Sequence, residues 1–266
     1  MPWLTRGLRN GIVTTHYPRR KDGYGMYWRA AVQVCSSNSS AKSNLDGIVG
    51  VAADKFALER LCPTEAISVD GVGIFLDRGK CILCGACVAA RPDLFAFEAD
   101  IELAVLDRRM LIVPRSEEEE DDLDRIKEEL RNRTVALRRS VHIRHVDVGS
   151  DGSDEWEISA LTNPVYDIAR LGIFFTASPR HADILLVTGV GTPGMTESLQ
   201  VTLEAMPKPT VVMAVGSDAV SGGIVQPGRG VGQLLDVDIW IPGSPASPFS
   251  ILHGICLAVG MLKGDR

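Results

Sequence analysis

Three cysteines at successive intervals of three, Cys81-Ile82-Leu83-Cys84-Gly85-Ala86-Cys87, and a fourth upstream in Cys62-Pro63 are the residues whose types and spacing promise chemistry. Iron–sulfur clusters are held by four thiolates. The two-cluster arrangement is two copies of C-x2-C-x2-C-x3-C-P, in which the last cysteine of each copy ligates the other copy's cluster. Here the second copy ends in Arg91-Pro92, and the first keeps only Cys62-Pro63, because Ala52, Lys55 and Leu58 occupy its first three ligand positions. With the ligands crossed in this way, Cys62, Cys81, Cys84 and Cys87 form one complete 4Fe-4S set, and the other site has lost all four of its ligands together. The pattern predicts one 4Fe-4S cluster as cofactor. Zinc is the alternative, since it also accepts four thiolates, often as two C-x2-C pairs.

The opening Met1-Pro2-Trp3 leads to charged residues, not to the apolar stretch of a secretory signal. A reducing compartment is therefore expected, where clustered thiols bind metal instead of pairing. Cys35 lies in a polar stretch, and Cys256 lies in an apolar one, where a free cysteine packs as a small hydrophobe. A net charge of -6 argues against a nucleic-acid partner, which would need a basic surface. No apolar run is long enough to span a membrane directly. The most apolar segment, 250–262, carries His253 and reads as a core helix, so any membrane association is expected through partner subunits.

The elements that must position the thiols fall into four stretches: an extended arm over 1–44, a single-cluster α+β domain of ferredoxin type over 45–115, a linker helix over 116–140 and an α/β domain over 141–266. In the second stretch, β-type runs at 66–69, 73–76 and 104–106 alternate with the cysteine loops, and a polar patch at 36–43 belongs to the arm. The linker begins with Ser116 and Glu119 as a capping box, places Leu123, Ile126, Leu130, Thr134 and Leu137 on one face, and ends in Arg131, Arg133, Arg138 and Arg139, which suits the helix dipole. Beyond it the pattern predicts a strand at 145–148, a helix over about 154–171, a buried strand at 183–188, a helix at 195–206 and further strands at 210–215 and 238–241. That alternation implies a flavodoxin-like parallel sheet with function in the loops at the strands' C-terminal ends, here 148–155, 216–223 and 242–248.

At those loops the chain resembles a known family. Asn163-Pro164-Val165-Tyr166-Asp167, the stretch Thr176-Ala177-Ser178-Pro179-Arg180-His181-Ala182-Asp183 and the turn Ile241-Pro242-Gly243 are similar to the small subunit of membrane-bound energy-converting nickel-iron hydrogenases and formate hydrogenlyase, and to the twenty-kilodalton subunit of respiratory complex I. Gly11-Ile12-Val13-Thr14-Thr15 followed by Tyr17-Pro18 resembles the two-cluster ferredoxin-type subunit of the same complexes, so two neighbouring subunits look fused into one chain. The resemblance implies that the small subunit holds a cluster through a C-x-x-C pair, a Gly-Ser-Cys-Ala loop and a Pro-Gly-Cys-Pro turn. The matching positions here are Asp151, Asp154, Asp218 and Ser244. Oxygen ligands are hard and iron–sulfur cubes take thiolate, so this second site is read as degenerate. Its three carboxylates either hold a hard cation such as Mg2+ or Ca2+, or relay protons, or face solvent or pair with Arg180, Arg229 or a partner.

The resemblance also implies a large-subunit partner of hydrogenase or complex I 49-kDa type, ion-translocating membrane subunits, and a peripheral location on the cytoplasmic face of the cell membrane. The expected function is an iron–sulfur subunit of electron-transfer type, itself without catalytic residues. The rival is a non-redox scaffold of an ion- or solute-transport complex, in which the cluster is structural.

Overall fold

The structure, a computed structural model, describes residues 2–21, 23–24, 28–35, 55–70, 73–114, 118–135 and 140–262. The polar patch at 36–43, Ala52, the capping residue Ser116, and Leu137, Arg138 and Arg139 lie outside the described residues.

The cysteine-bearing half consists of α1 (Pro2–Asn10), β1 (Ala31–Val34), α2 (Lys55–Leu61), β2 (Ile67–Val69), β3 (Ile74–Asp77), α3 (Ala86–Ala90), β4 (Phe95–Glu98) and β5 (Ile112–Val113). β1 pairs antiparallel with β4, and β2, β3 and β5 form a second antiparallel sheet. Val32, Leu58, Ile67, Val69, Leu76 and Phe95 bury a small core into which Cys87 also packs. Two expectations change here. The stretch read as an arm contributes α1 and the strand β1, whose partner β4 lies some sixty residues further on. The run at 104–106 is not a strand of this domain: Val105 forms a bridge with Trp240 across the domain junction, with N–H···O distances of 2.9 and 2.8 Å.

α4 (Glu118–Thr134) is the linker helix. It buries Leu130 and Thr134, and its Arg133 pairs with Asp238 at 2.6 Å and donates to the Thr210 carbonyl, which fastens the helix to the α/β domain. That domain contains β6 (Val141–Asp147), α5 (Ser153–Ala160), β7 (Ile173–Phe175), β8 (Ile184–Thr188), α6 (Pro193–Glu204), β9 (Val211–Val215), α7 (Gly216–Ser221), β10 (Ile239–Ile241) and α8 (Pro248–Ala258). All five strands are parallel in the order β10-β9-β8-β6-β7. This is the flavodoxin-type order, whose switch point, the usual place for function, lies between β6 and β8. Every residue of β8 and β9 is buried, as expected of strands covered on both faces. α8 is apolar almost all round and correspondingly buried, with Ser247 capping it by accepting from the Ser250 N–H at 3.1 Å.

The helix expected over 154–171 is broken. Asn163 Oδ1 accepts from the N–H groups of Val165 and Tyr166, Pro164 has no N–H to continue the ladder, and after a short 3-10 turn the chain emerges as the edge strand β7.

Candidate functional site

The four cysteines of the proposed ligand set, Cys62, Cys81, Cys84 and Cys87, line one pocket with Val32, Ile67 and Leu76. Local backbone wraps the chain around it. Leu83 and Gly85 both adopt positive φ, 56° and 76°, and a Cβ at Gly85 would press on the Phe97 ring at 3.1 Å. α3 then starts directly after Gly85 and carries Cys87, while the end of α2 delivers Cys62 from the opposite side. Backbone N–H groups are aimed at the sulfurs: Ala66 donates to Cys62 Sγ at 3.2 Å, and Leu83 and Val88 donate to Cys81 and Cys87. Burial pushes the Cys81 thiol up to about 12, reinforced by the charges of Cys62, Cys87 and Cys84, and raises Cys87 as well. N–H donors directed at buried sulfurs suit thiolates whose protons have been replaced by metal. The donor set therefore fits an iron–sulfur cube. Among the described residues no three His, Cys, Asp or Glu side chains are close enough to share one metal ion.

The second set lies at the C-terminal edge of the parallel sheet. Asp151 lies in the turn between β6 and α5, one residue before the N-cap Gly152, its Oδ1 accepting from the Ser153 N–H at 2.9 Å and the Ser153 hydroxyl at 2.6 Å, and these bonds lower its pKa. Asp154, in the first turn of α5, is only 3 % exposed, and its Oδ1 accepts from the Ala246 N–H at 2.8 Å. Burial, opposed by that bond and reinforced by Glu155, Asp218 and Asp151, pushes it up to about 8. Asp218, half-buried on α7, is raised by burial and by Asp151 and Glu155. The three aspartates thus act on one another electrostatically. Ser244 sits in the turn after β10, whose backbone makes the contacts: Gly243 O accepts from Ser217 N at 2.6 Å, and Ala246 N serves Asp154. Neither Arg180 nor Arg229 pairs with these aspartates, and the geometry for a single cation is not present among the described residues.

Two residues of this pocket have no local signature. Glu155 Oε1 accepts from the Thr188 hydroxyl, and Thr188 Oγ1 lies 2.9 Å from His145 Nε2, which is itself 3.8 Å from Glu155. Burial lowers the His145 pKa against the pull of Glu155 and Asp147, and Glu155 Oε2 is buried without a hydrogen-bond partner. The apposition of β6 and β8 creates this group, and each residue alone reads as ordinary. His145 also lines a cavity of about 450 Å3 with Arg144, Ser159, Thr162, Phe175 and Thr176. The Arg144 Nε there is buried without an acceptor.

Comparison with known proteins places both halves. Residues 152–258 match the family described as NADH ubiquinone oxidoreductase, 20 Kd subunit, and residues 74–136 match the 4Fe-4S single cluster domain. The second match includes Cys81, Cys84 and Cys87, while Cys62 lies upstream of it. The probable membrane-bound hydrogenase subunit mbhJ of Pyrococcus furiosus is 38% identical over 137 residues, 48% of this chain and 82% of that protein. Formate hydrogenlyase subunit 7 of Escherichia coli is 36% identical over 131 residues, 48% of this chain and 51% of that protein. Among solved structures, a chain of the membrane-bound sulfane sulfur reductase, an archaeal respiratory membrane complex, aligns with 49% of this chain and 75% of its own length at 29% identity and a TM-score of 0.42. The chain belongs to the NADH ubiquinone oxidoreductase 20 Kd subunit family and carries a 4Fe-4S domain fused ahead of that unit.

Proposed function

We propose that this protein is the iron–sulfur subunit of a membrane-associated complex related to energy-converting hydrogenase and complex I, with a single 4Fe-4S cluster on Cys62, Cys81, Cys84 and Cys87 and none in the α/β domain. The observation that carries the reading is the contrast between the two pockets. One gathers four cysteines beneath backbone N–H donors, and the other presents Asp151, Asp154, Asp218 and Ser244. When bound, the cluster supplies one-electron chemistry. The chain's own residues fix the thiolates, shield them with Val32, Ile67 and Leu76, and leave Cys84 exposed as the point of closest approach for a donor.

The partner side of the reading rests on the α/β domain. Trp156 on α5 and Phe174 on the edge strand β7 are large apolar side chains left exposed, which suits a surface meant to be covered by a large subunit. No helix among the described residues is long and apolar enough to cross a membrane, and partner subunits would provide the attachment on the cytoplasmic face. Purification of the native assembly from detergent-solubilised membranes, with its subunits identified by mass spectrometry, tests this. A large subunit and integral membrane subunits should accompany the chain, and recovery of the chain alone contradicts it.

A second reading follows from the carboxylates. With no thiolate in the α/β pocket, electrons have no conventional relay beyond the cysteine pocket, and the cluster would serve as a structural brace in a non-redox scaffold. Potentiometry separates the two: a cluster reversibly reduced in the physiological range supports transfer, and one that resists reduction supports the scaffold.

A further inference from the structure

Where the cysteine loop meets the α/β domain, a cleft of about 250 Å3 is lined by Lys80, Arg108, Arg229, Gln233 and Trp240. Its only charged wall residues are the three cations, in a chain whose net charge is -6. Arg108 is committed to Asp77 at 2.7 Å, but neither Lys80 nor Arg229 has an ion-pair partner among the described residues. The walls are held firmly. Ser221 Oγ donates to Gly79 O at 2.9 Å, Gly228 N to Ser221 O at 3.0 Å, and Gln233 Nε2 to Gly228 O at 3.0 Å. Gly230 and Gly232 account for the tight fit of the loop, because a Cβ at the first would stand 2.9 Å from the Ala219 and Val220 carbonyls, and at the second 2.6 Å from the Trp240 ring. The glycines are therefore packing devices, and the uncompensated feature is the pair of cations, Lys80 and the exposed Arg229, that line the open cleft without an ion-pair partner among the described residues.

A cleft of one sign between low-dielectric walls concentrates its field on an opposite charge. At about 250 Å3 the open cleft has room for a tetrahedral oxyanion together with bridging water. We propose that the cleft binds an anion of the phosphate class between Lys80 and Arg229, with Arg108 behind it. Lys80 directly precedes Cys81, so a bound anion adds negative charge beside the cluster ligands and disfavours reduction there. The site would let a small anion tune the cysteine pocket.

Calorimetric titration of the purified full chain with inorganic phosphate, and separately with adenosine monophosphate, tests the proposal whether or not the cluster is loaded. Saturable binding is expected, weakened about tenfold or more in Lys80→Gln and Arg229→Gln and retained in Lys80→Arg, because charge-assisted hydrogen bonds carry it. Tighter binding of the monophosphate identifies a phosphate ester as the source, and tighter binding of inorganic phosphate identifies the free ion. Failure of both ligands to saturate the wild type, or equal binding by the double glutamine variant, overturns the site. Both substituted side chains lie at the surface of the cleft, and circular dichroism confirms that the variants remain folded.

Discussion

Asp154 occupies the space over Gly216: a Cβ built on Gly216 would fall 1.9 Å from Asp154 Oδ2. The carboxylate after β6 and the turn after β9 are thus interlocked, and the pocket is closed by packing as well as by charge. Gly216 also has φ +85°, a conformation costly to other residues.

Gly216→Ala is accordingly expected to destabilise the α/β domain by about 2–4 kcal/mol, since both strain and overlap must be relieved. In an Asp154→Ala background the overlap disappears, and the same substitution should cost about 1 kcal/mol, the left-handed strain alone. Equal costs in the two backgrounds, measured by urea denaturation, would show that the two residues do not touch.

The pH dependence of stability follows from Asp154. Its carboxyl is pushed up to about 8 in the folded chain from an ordinary value of 3.8, so between those values the folded state holds a proton that the unfolded state has released. Stability must then fall as pH rises across that window, and the raised Asp218 adds a slope of the same sign. Asp154→Asn should flatten the profile and gain on the order of 5 kcal/mol over the wild type at pH 8 relative to pH 4, the full linkage of a carboxyl moved from 3.8 to about 8. Parallel profiles for the two proteins would mean that Asp154 is ionised at neutral pH.

Much of the cysteine pocket was legible because its signal is local: Cys81, Cys84 and Cys87 lie within seven residues, and their spacing alone specifies a ligand loop. Strands β8 and β9 were legible as short, continuous apolar runs. β1 was not, since Ala31–Val34 becomes a strand only through β4, and β7, Ile173–Phe175, is a three-residue edge strand in the stretch between the helix expected to end near 171 and the strand expected at 183, too short to show a period of its own. The carboxylate pocket was half legible. Asp151, Asp154 and Asp218 stand at loop positions that the resemblance marks out, whereas Glu155 and His145 join only because β6 and β8 set Thr188 between them.

Ser221 ties the two halves together through Gly79, two residues before Cys81. Ser221→Ala should lower stability by about 1 kcal/mol, the ordinary worth of one such bond. The loss should also increase proteolysis at the cysteine loop, read by limited digestion. Unchanged digestion would assign the hydroxyl wholly to its other acceptor, Ser217 O at 3.0 Å.

Cys84→Ser is expected to bleach the visible absorption of the anaerobically purified chain and to loosen the cysteine-bearing half, whose small apolar core depends on bound metal for much of its stability. The α/β half, with its continuous buried core from β6 to α8, should keep its cooperative unfolding transition. Retention of colour in this variant would remove Cys84 from the ligand set.

The central claim, one cluster on four cysteines and none among the aspartates, is tested most directly by iron, sulfide and zinc analysis of the anaerobically purified full chain. About four irons and about four sulfides per chain are expected, with no stoichiometric zinc. About eight irons per chain, or one zinc without sulfide, would contradict it.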